Sequence, residues 1–264
     1  MKFIAIALGL LIGLASPAFG QTTPAPRNEL SLPRLRSWTG DLDGMLKRRA
    51  VRILVPYSKT LFFVDRGKQL GVVAELARRF EEWLNTRHKT GALRITVGCV
   101  PVPRDELPRD LREGRGDIVA GGVTITRERL SEMDFAEPWS SKVDEIVVTG
   151  PTAPPLHKIE DLAGREIFVR QDSSYAAHLQ ALSVNFVAKG WKPITIKPAD
   201  GNLEDEDILE MVNAALLPFA IVDDHKATLW SSVFHSLTPR RDLAINAGGS
   251  IAWAIRKNSP LLKD

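Results

Sequence analysis

The sequence predicts an α/β protein of two lobes, a clamshell with two inter-lobe crossings and its ligand site between the halves. Short apolar strands alternate with amphipathic helical segments from Val51 to Ala120, the pattern of a parallel sheet covered by helices. A proline cluster, Gly150-Pro151-Thr152-Ala153-Pro154-Pro155, then breaks the pattern, and few regular elements tolerate it. The alternation resumes from Glu166 to Phe234, and a last apolar run, Ser250 to Ile255, is expected to return to the first lobe.

Taken in order, Asp41 to Arg49 reads as a short helix with acids at its start and bases in its last turn, as the macrodipole favours. Val51 to Val55 is a buried-type strand. Gly71 opens a helix expected to bury Val72, Leu76, Phe80, Trp83 and Leu84 as one stripe. Leu93 to Val100 is a strand, Pro103 to Glu113 a helix stopped by Gly114, and Asp117 to Ala120 the third strand. Glu145 to Thr149 is a strand leading into the prolines. Beyond them come a helical turn at 159–162, strands at 166–170, 194–197 and 219–222, and helices at 173–189, 204–214 and 224–234. The expected division is a signal peptide at 1–20, a Pro/Thr/Arg-rich linker at 21–40, lobe 1 at 41–148, lobe 2 at 149–247 and a return to lobe 1 at 248–264.

Lys2, the apolar run Phe3 to Leu14 and the small residues of Ala18-Phe19-Gly20 make the cleavable export signal, so a periplasmic location is expected. Cys99 is the only cysteine, which excludes an intramolecular disulfide, and its apolar neighbours mark it as a buried small hydrophobe. The formal charge of +3 is small for 264 residues, and bases and acids are interspersed. No stripe for nucleic acid follows from that.

The stretch Gly114 to Arg129 carries the most chemistry. A strand runs into Gly121-Gly122, then hydroxyls at Thr124 and Thr126, then Arg129. Glycines admit a ligand close to the backbone, Thr126 is placed to cap a short helix, and Arg129 one turn later offers a planar fork to a carboxylate. The alternative is a surface arginine paired with Glu132 or Asp134, an arrangement that contributes little.

Several motifs together resemble the bacterial extracellular solute-binding proteins of family 3, over about Val51 to Lys257. They are Gly71 to Ala77, Gly116-Asp117-Ile118, Thr124-Ile125-Thr126-x-Glu128-Arg129, Asp134-Phe135-x-x-Pro138-Trp139 and Glu160-Asp161-Leu162-Ala163-Gly164-Arg165. More narrowly, the chain is similar to the solute-binding half of murein lytic transglycosylase F-type proteins, which carry a C-terminal lytic domain. No glutamate-serine plus Gly-Leu-Met-Gln pattern of that domain occurs here, so the chain is expected either to be truncated at the C-terminus or to be a stand-alone binding module with a worn C-terminus. The resemblance implies the type II periplasmic-binding-protein fold. It also implies that Arg129 pairs with a ligand carboxylate, with Thr124 adding a hydroxyl, and that Asp223 meets a ligand ammonium. An aromatic among Tyr57, Phe62 and Phe63 would pack on the ligand, while at least one is core.

Gln171-Asp172-Ser173-Ser174-Tyr175 begins a helix, so the hydroxyls of Ser173 and Ser174 are candidates to hold the same carboxylate. Asp172 stands where the family has glycine, either as a helix cap or as a group repelling acids. Asp223 and Asp224 are alternatively caps of the next helix. The ligand is read as a small carboxylate-bearing solute, an amino acid or related, including a peptidoglycan-derived peptide. Gly122, which replaces a side chain that often contacts ligand, and Asp172 both depart from the family's pattern and count against ordinary amino-acid specificity.

An enzyme is the rival class. His88, His157, His178, His225 and His235 are scattered, with no HExxH, Cys-His metal spacing or Gly-x-Ser-x-Gly elbow, so no metal, cofactor or catalytic residue is expected. The partners expected are a small carboxylate ligand with an ABC permease or a cell-wall lytic domain, on a monomeric chain. A regulatory role for the module in a murein lytic transglycosylase is the alternative to transport.

Overall fold

A computed structural model describes residues 37–263; the expected signal peptide and the linker as far as residue 36 lie outside the described residues. Chain order begins with helix α1 (Leu42–Arg48), strands β1 (Ala50–Val55), β2 (Phe63–Asp65) and β3 (Lys68–Leu70), and helix α2 (Val72–Arg87). Next come β4 (Thr96–Pro101), α3 (Leu107–Arg112), β5 (Ile118–Thr124), α4 (Arg127–Glu132), β6 (Met133–Phe135) and β7 (Ser140–Thr149). The rest is β8 (Glu166–Val169), α5 (Ser174–Ala188), β9 (Thr195–Pro198), α6 (Asp205–Asn213), β10 (Phe219–Asp223), α7 (Asp224–Ser231), β11 (Thr238–Arg256) and α8 (Pro260–Lys263).

The fold is the two-lobed type II clamshell. β1 pairs in parallel with β4 and β5, and β8 pairs in parallel with β9. β11 instead runs antiparallel to β5 and β6, so the first lobe's sheet is mixed rather than wholly parallel. Its direction follows from its route, since β11 enters that lobe from the other one. The two long strands β7 and β11 are the crossings. Residues 140–143 of β7 pair with residues 249–251 of β11, while residues 145–149 pair with β10 on one side and with residues 238–246 of β11 on the other. The register slips repeatedly between Arg240 and Ser250, and Gly248 there has φ +75°. Such bulges bend a strand pair and weaken its ladder.

Four apolar clusters segregate by lobe. Ile53, Val55, Phe62, Val73, Ala77 and Ile118 fill one face of the first sheet, and Leu54, Leu107, Leu111, Phe135 and Ala252 the other. In the second lobe, Val147, Ile167, Leu179, Phe186 and Ile221 lie on one side, and Ile146, Val148, Leu209, Ala220 and Val222 on the other. The alternation of 146, 147 and 148 between clusters is the period-two signature of a strand buried on both faces.

Helix α2 forms where expected, yet its buried face is shifted. Val73, Ala74, Ala77 and Leu84 are buried, whereas Val72 and Trp83 are each 53% exposed and Leu76 is 40% exposed. Small residues let the helix axis approach the sheet, so Ala74 and Ala77 face inward and the larger apolar groups are displaced. Phe80 is half-buried between Trp83 and Trp253, with ring centroids 6.0 and 6.2 Å away. Gly71 anchors the helix start at φ +105°, and a Cβ there would lie 2.4 Å from the Leu61 carbonyl oxygen. The hairpin β2–β3 and the short β6 carry no clear apolar period and were not expected from the sequence.

Cys99 lies in β4 between Gly98 and Val100, packed against the first lobe's core. Burial pushes its thiol up to about 11 from 9.0. At pH 8 its thiolate fraction is then about a hundredth of a free thiol's. Iodoacetamide labelling followed by intact mass should therefore be slow in the native protein and rapid in guanidinium; equal rates would contradict the burial.

Candidate functional site

A cavity of about 860 Å³ opens between the lobes, within the range of small-molecule sites. The first lobe contributes Arg104, Gly122, Thr124 and Arg129; the second contributes Arg170, Ser173, Ser174, Tyr175, His178 and Lys226. The carboxyl ends of strands supply it. Thr124 ends β5, Arg170 follows β8, and Lys226 stands one turn into the helix after β10.

Thr126 caps α4, its Oγ1 accepting from the Arg129 amide at 3.2 Å. That cap fixes the turn on which Arg129 projects. The Arg129 guanidinium donates to the Thr124 carbonyl at 2.8 Å and to the Asp172 carbonyl of the opposite lobe at 3.0 Å. Among the described residues no carboxylate lies within ion-pair distance of it. Burial, and then the neighbouring Arg170 and Arg104, lowers its pKa from the usual guanidinium value. Glu132 and Asp134, the alternative partners read from the sequence, pair with Arg112 and Lys257 instead.

Thr124 is buried and its hydroxyl accepts from Ser174 Oγ across the cleft at 3.3 Å. Ser173 caps α5, accepting from the Ala176 amide at 3.1 Å and donating to the Arg170 carbonyl at 2.6 Å. The cap is therefore Ser173 rather than Asp172, which is exposed at the cavity rim. Gly122 has φ +63° with open space where a Cβ would stand, so the backbone conformation rather than crowding favours glycine.

Tyr57, Phe62, Phe63 and Asp223 do not line the cavity. Tyr57 is 60% exposed, Phe62 is 1% exposed in the first lobe's core, and Phe63 starts the β2–β3 hairpin. Asp223 is 1% exposed and its Oδ2 lies 2.8 Å from Lys226 Nζ. That distance makes an ion pair, although the ammonium does not point squarely enough at the carboxylate for an aligned hydrogen bond.

The inner wall holds residues that sequence reasoning passed over. Arg170 forks onto Asp205 Oδ1 at 2.9 and 2.8 Å, and Lys226 Nζ reaches Asp205 Oδ2 at 2.7 Å and the Tyr175 hydroxyl at 3.1 Å. Burial alone would raise the Asp205 carboxyl, but Arg170, Lys226 and Arg104 hold it far below the usual range. Burial alone would lower Lys226, and Asp205 with Asp223 raises it well above its ordinary value. Behind them, burial raises the Glu145 carboxyl, which contacts His178 Nδ1 at 2.6 Å. The available signal was positional: Arg170 ends a predicted strand, and Arg104 and Lys226 each follow one by four residues.

Chain contacts also join the lobes beside the cavity. Arg104 Nε donates to Glu204 at 2.7 Å, and Glu206 Oε1 accepts from Ser58 Oγ at 2.6 Å and from the Thr60 amide at 3.1 Å. Lys59 meets Asp207 and Glu210 at 3.1 and 2.9 Å, and Trp230 donates to Thr60 Oγ1 at 3.0 Å. Arg104→Ala leaves Glu204 buried without its partner, at a cost of about 3–5 kcal/mol to the closed arrangement. Small-angle scattering of the unliganded variant should give a larger radius of gyration than wild type; an unchanged radius would deny these contacts a part in closure.

Two lobes, two crossing strands and a basic cavity between them define a solute-binding clamshell. The chain belongs to the bacterial extracellular solute-binding proteins, family 3, whose model matches residues 53–264. It is similar to the membrane-bound lytic murein transglycosylase F of Desulfosudis oleivorans, at 24% identity over 221 residues, covering 78% of this chain and 41% of the relative. The protein of the same name from Ectopseudomonas mendocina is 26% identical over 212 residues, covering 78% and 39%. This chain thus spans about two fifths of the length of those curated relatives. Among solved structures it resembles an ancestral arginine-binding protein bound to arginine, with TM-score 0.63, 22% identity and coverage of 81% and 88%. An ancestral amino acid-binding protein, a precursor of cyclohexadienyl dehydratase, gives TM-score 0.63 at 21% identity, covering 83% and 87%. At such identities the likeness extends to the fold.

Proposed function

We propose that this module binds a small carboxylate-bearing solute, or a peptidoglycan-derived peptide, in the cavity outside the cytoplasm, by closure of the lobes about β7 and β11. The observation that carries the reading is Arg129. A guanidinium enclosed in a cavity, held only by backbone carbonyls and beside two further arginines, is complementary to an anion. Thr124 and Ser174 add hydroxyls from both lobes, so a bound carboxylate gains contacts that exist only when the halves meet. The module acts by binding, without a reaction of its own. Isothermal titration with a panel of small carboxylic acids and peptidoglycan peptides tests it: saturable heat for an acid and none for its methyl ester is expected. Binding of neutral solutes alone would refute the carboxylate.

A second reading is favoured by the curated relatives. Their shared name and the partial span suggest that the module controls a murein lytic domain rather than feeding an ABC permease. Fusing or mixing the module with such a domain and following peptidoglycan release with and without the bound acid separates the two roles.

A further inference from the structure

We infer that the solute is an acid without an ammonium group, because Lys226 lines the cavity and supplies a built-in cation to the buried carboxylates beside it. The inference rests on the carboxylate reading of Arg129 and narrows its ligand class.

The charges on the inner wall are already matched in one direction. Arg104, Arg129, Arg170 and Lys226 face the cavity. Each carboxylate near them has a basic partner: Glu204 has Arg104, Asp205 has Arg170 and Lys226, Asp223 has Lys226, and Glu145 has His178. Both Asp223 oxygens and Glu145 Oε1 accept no hydrogen bond among the described residues, but they are buried and do not line the cavity. Glu206 accepts from Ser58 and Thr60. Asp105, Glu128, Glu132 and Asp172 also line the cavity, but all four are exposed at its mouth, where water screens them. Arg129 alone among the four inward cations lacks a carboxylate among the described residues.

An entering anion therefore meets one unmatched guanidinium backed by three more cations. An entering ammonium meets those cations, with no lining carboxylate except the exposed ones at the mouth, and must displace Lys226 to reach Asp205 or Asp223. Lys226 is fixed there at 2.7 Å from Asp205, 2.8 Å from Asp223 and 3.1 Å from the Tyr175 hydroxyl. Displacing it would strand a buried cation, since its side chain is only 12% exposed. The site is thus built to discriminate between two acids that differ by one amino group, by repulsion as much as by attraction.

The test uses matched pairs on the intact chain: succinate against L-aspartate and glutarate against L-glutamate, by calorimetry at low salt. Wild type is expected to bind the plain diacids at least tenfold more tightly than their amino counterparts. Lys226→Met frees Asp223 and leaves Asp205 with Arg170 alone, and should shift the preference toward the amino acids, whereas Lys226→Arg should keep it. If Lys226→Met does not fold, the wild-type pairs decide by themselves. Equal or tighter binding of the amino acids, lost in Arg129→Ala, overturns the ammonium exclusion and leaves the carboxylate site standing. Binding of no acid, or binding indifferent to Arg129→Ala, defeats the carboxylate reading and this inference with it.

Discussion

Asp117→Ala is expected to destabilise the first lobe by about 3–5 kcal/mol, the cost of removing one partner from a buried ionic cluster. Asp117 is fully buried at the start of β5. Its carboxylate accepts from the Arg52 amide at 2.8 Å and from Arg52 Nη2 at 2.9 Å, and it also meets Arg48 and Arg256. Three guanidiniums from α1, β1 and β11 thus converge on one anion, and that convergence ties the returning strand to the lobe's beginning. Removing the anion leaves like charges packed together, with Arg48 and Arg256 already lowered from their usual values chiefly by burial. Asp117→Asn keeps the shape and part of the hydrogen bonding, so it should fall between wild type and Asp117→Ala. Urea denaturation followed by tryptophan fluorescence reads the loss, since Trp38 stacks on Arg48 at 4.0 Å. A change under about 1 kcal/mol would show that the cluster is not what holds the elements.

Arg129→Ala is expected to weaken acid binding at least about a hundredfold, because a bidentate contact to a charged group comprises two bonds of about 1.5–3 kcal/mol each. The unliganded protein should be as stable as wild type or more so. Its guanidinium is buried beside Arg104 and Arg170 with only carbonyl oxygens to hold it, a cost that ligand offsets and alanine removes. Arg129→Lys keeps the charge but not the fork, and should recover part of the affinity. Calorimetry paired with thermal melts of the free proteins reads both effects. Retained affinity, or a large fall in the free protein's melting temperature, would make Arg129 a structural residue.

Local signals in the chain were enough for much of the site's first lobe. Thr126 as a cap, Arg129 one turn beyond it and the glycine pair after a strand are relations within a few residues, and backbone geometry enforces them. The phase of α2 was not legible, because the face that packs is chosen by how closely two elements approach. Alanines won that choice over larger apolar residues. Nor was the second-lobe wall legible. The acidic start of α6 reads locally as macrodipole and capping-box chemistry, and its carboxylates do form a capping box. Only the folded chain shows Glu204 against Arg104, Asp205 against Arg170 and Glu206 against Ser58.

The sequence by itself determined the alternating elements, the family and the arginine offered to an anion, since each follows from residue type and short-range spacing. The tertiary structure decided which ionic groups neutralise one another: Glu204 with Arg104, and Arg129 with no acid among the described residues. Pairing across 100 or so residues depends on where strands end in space, and no local pattern encodes that.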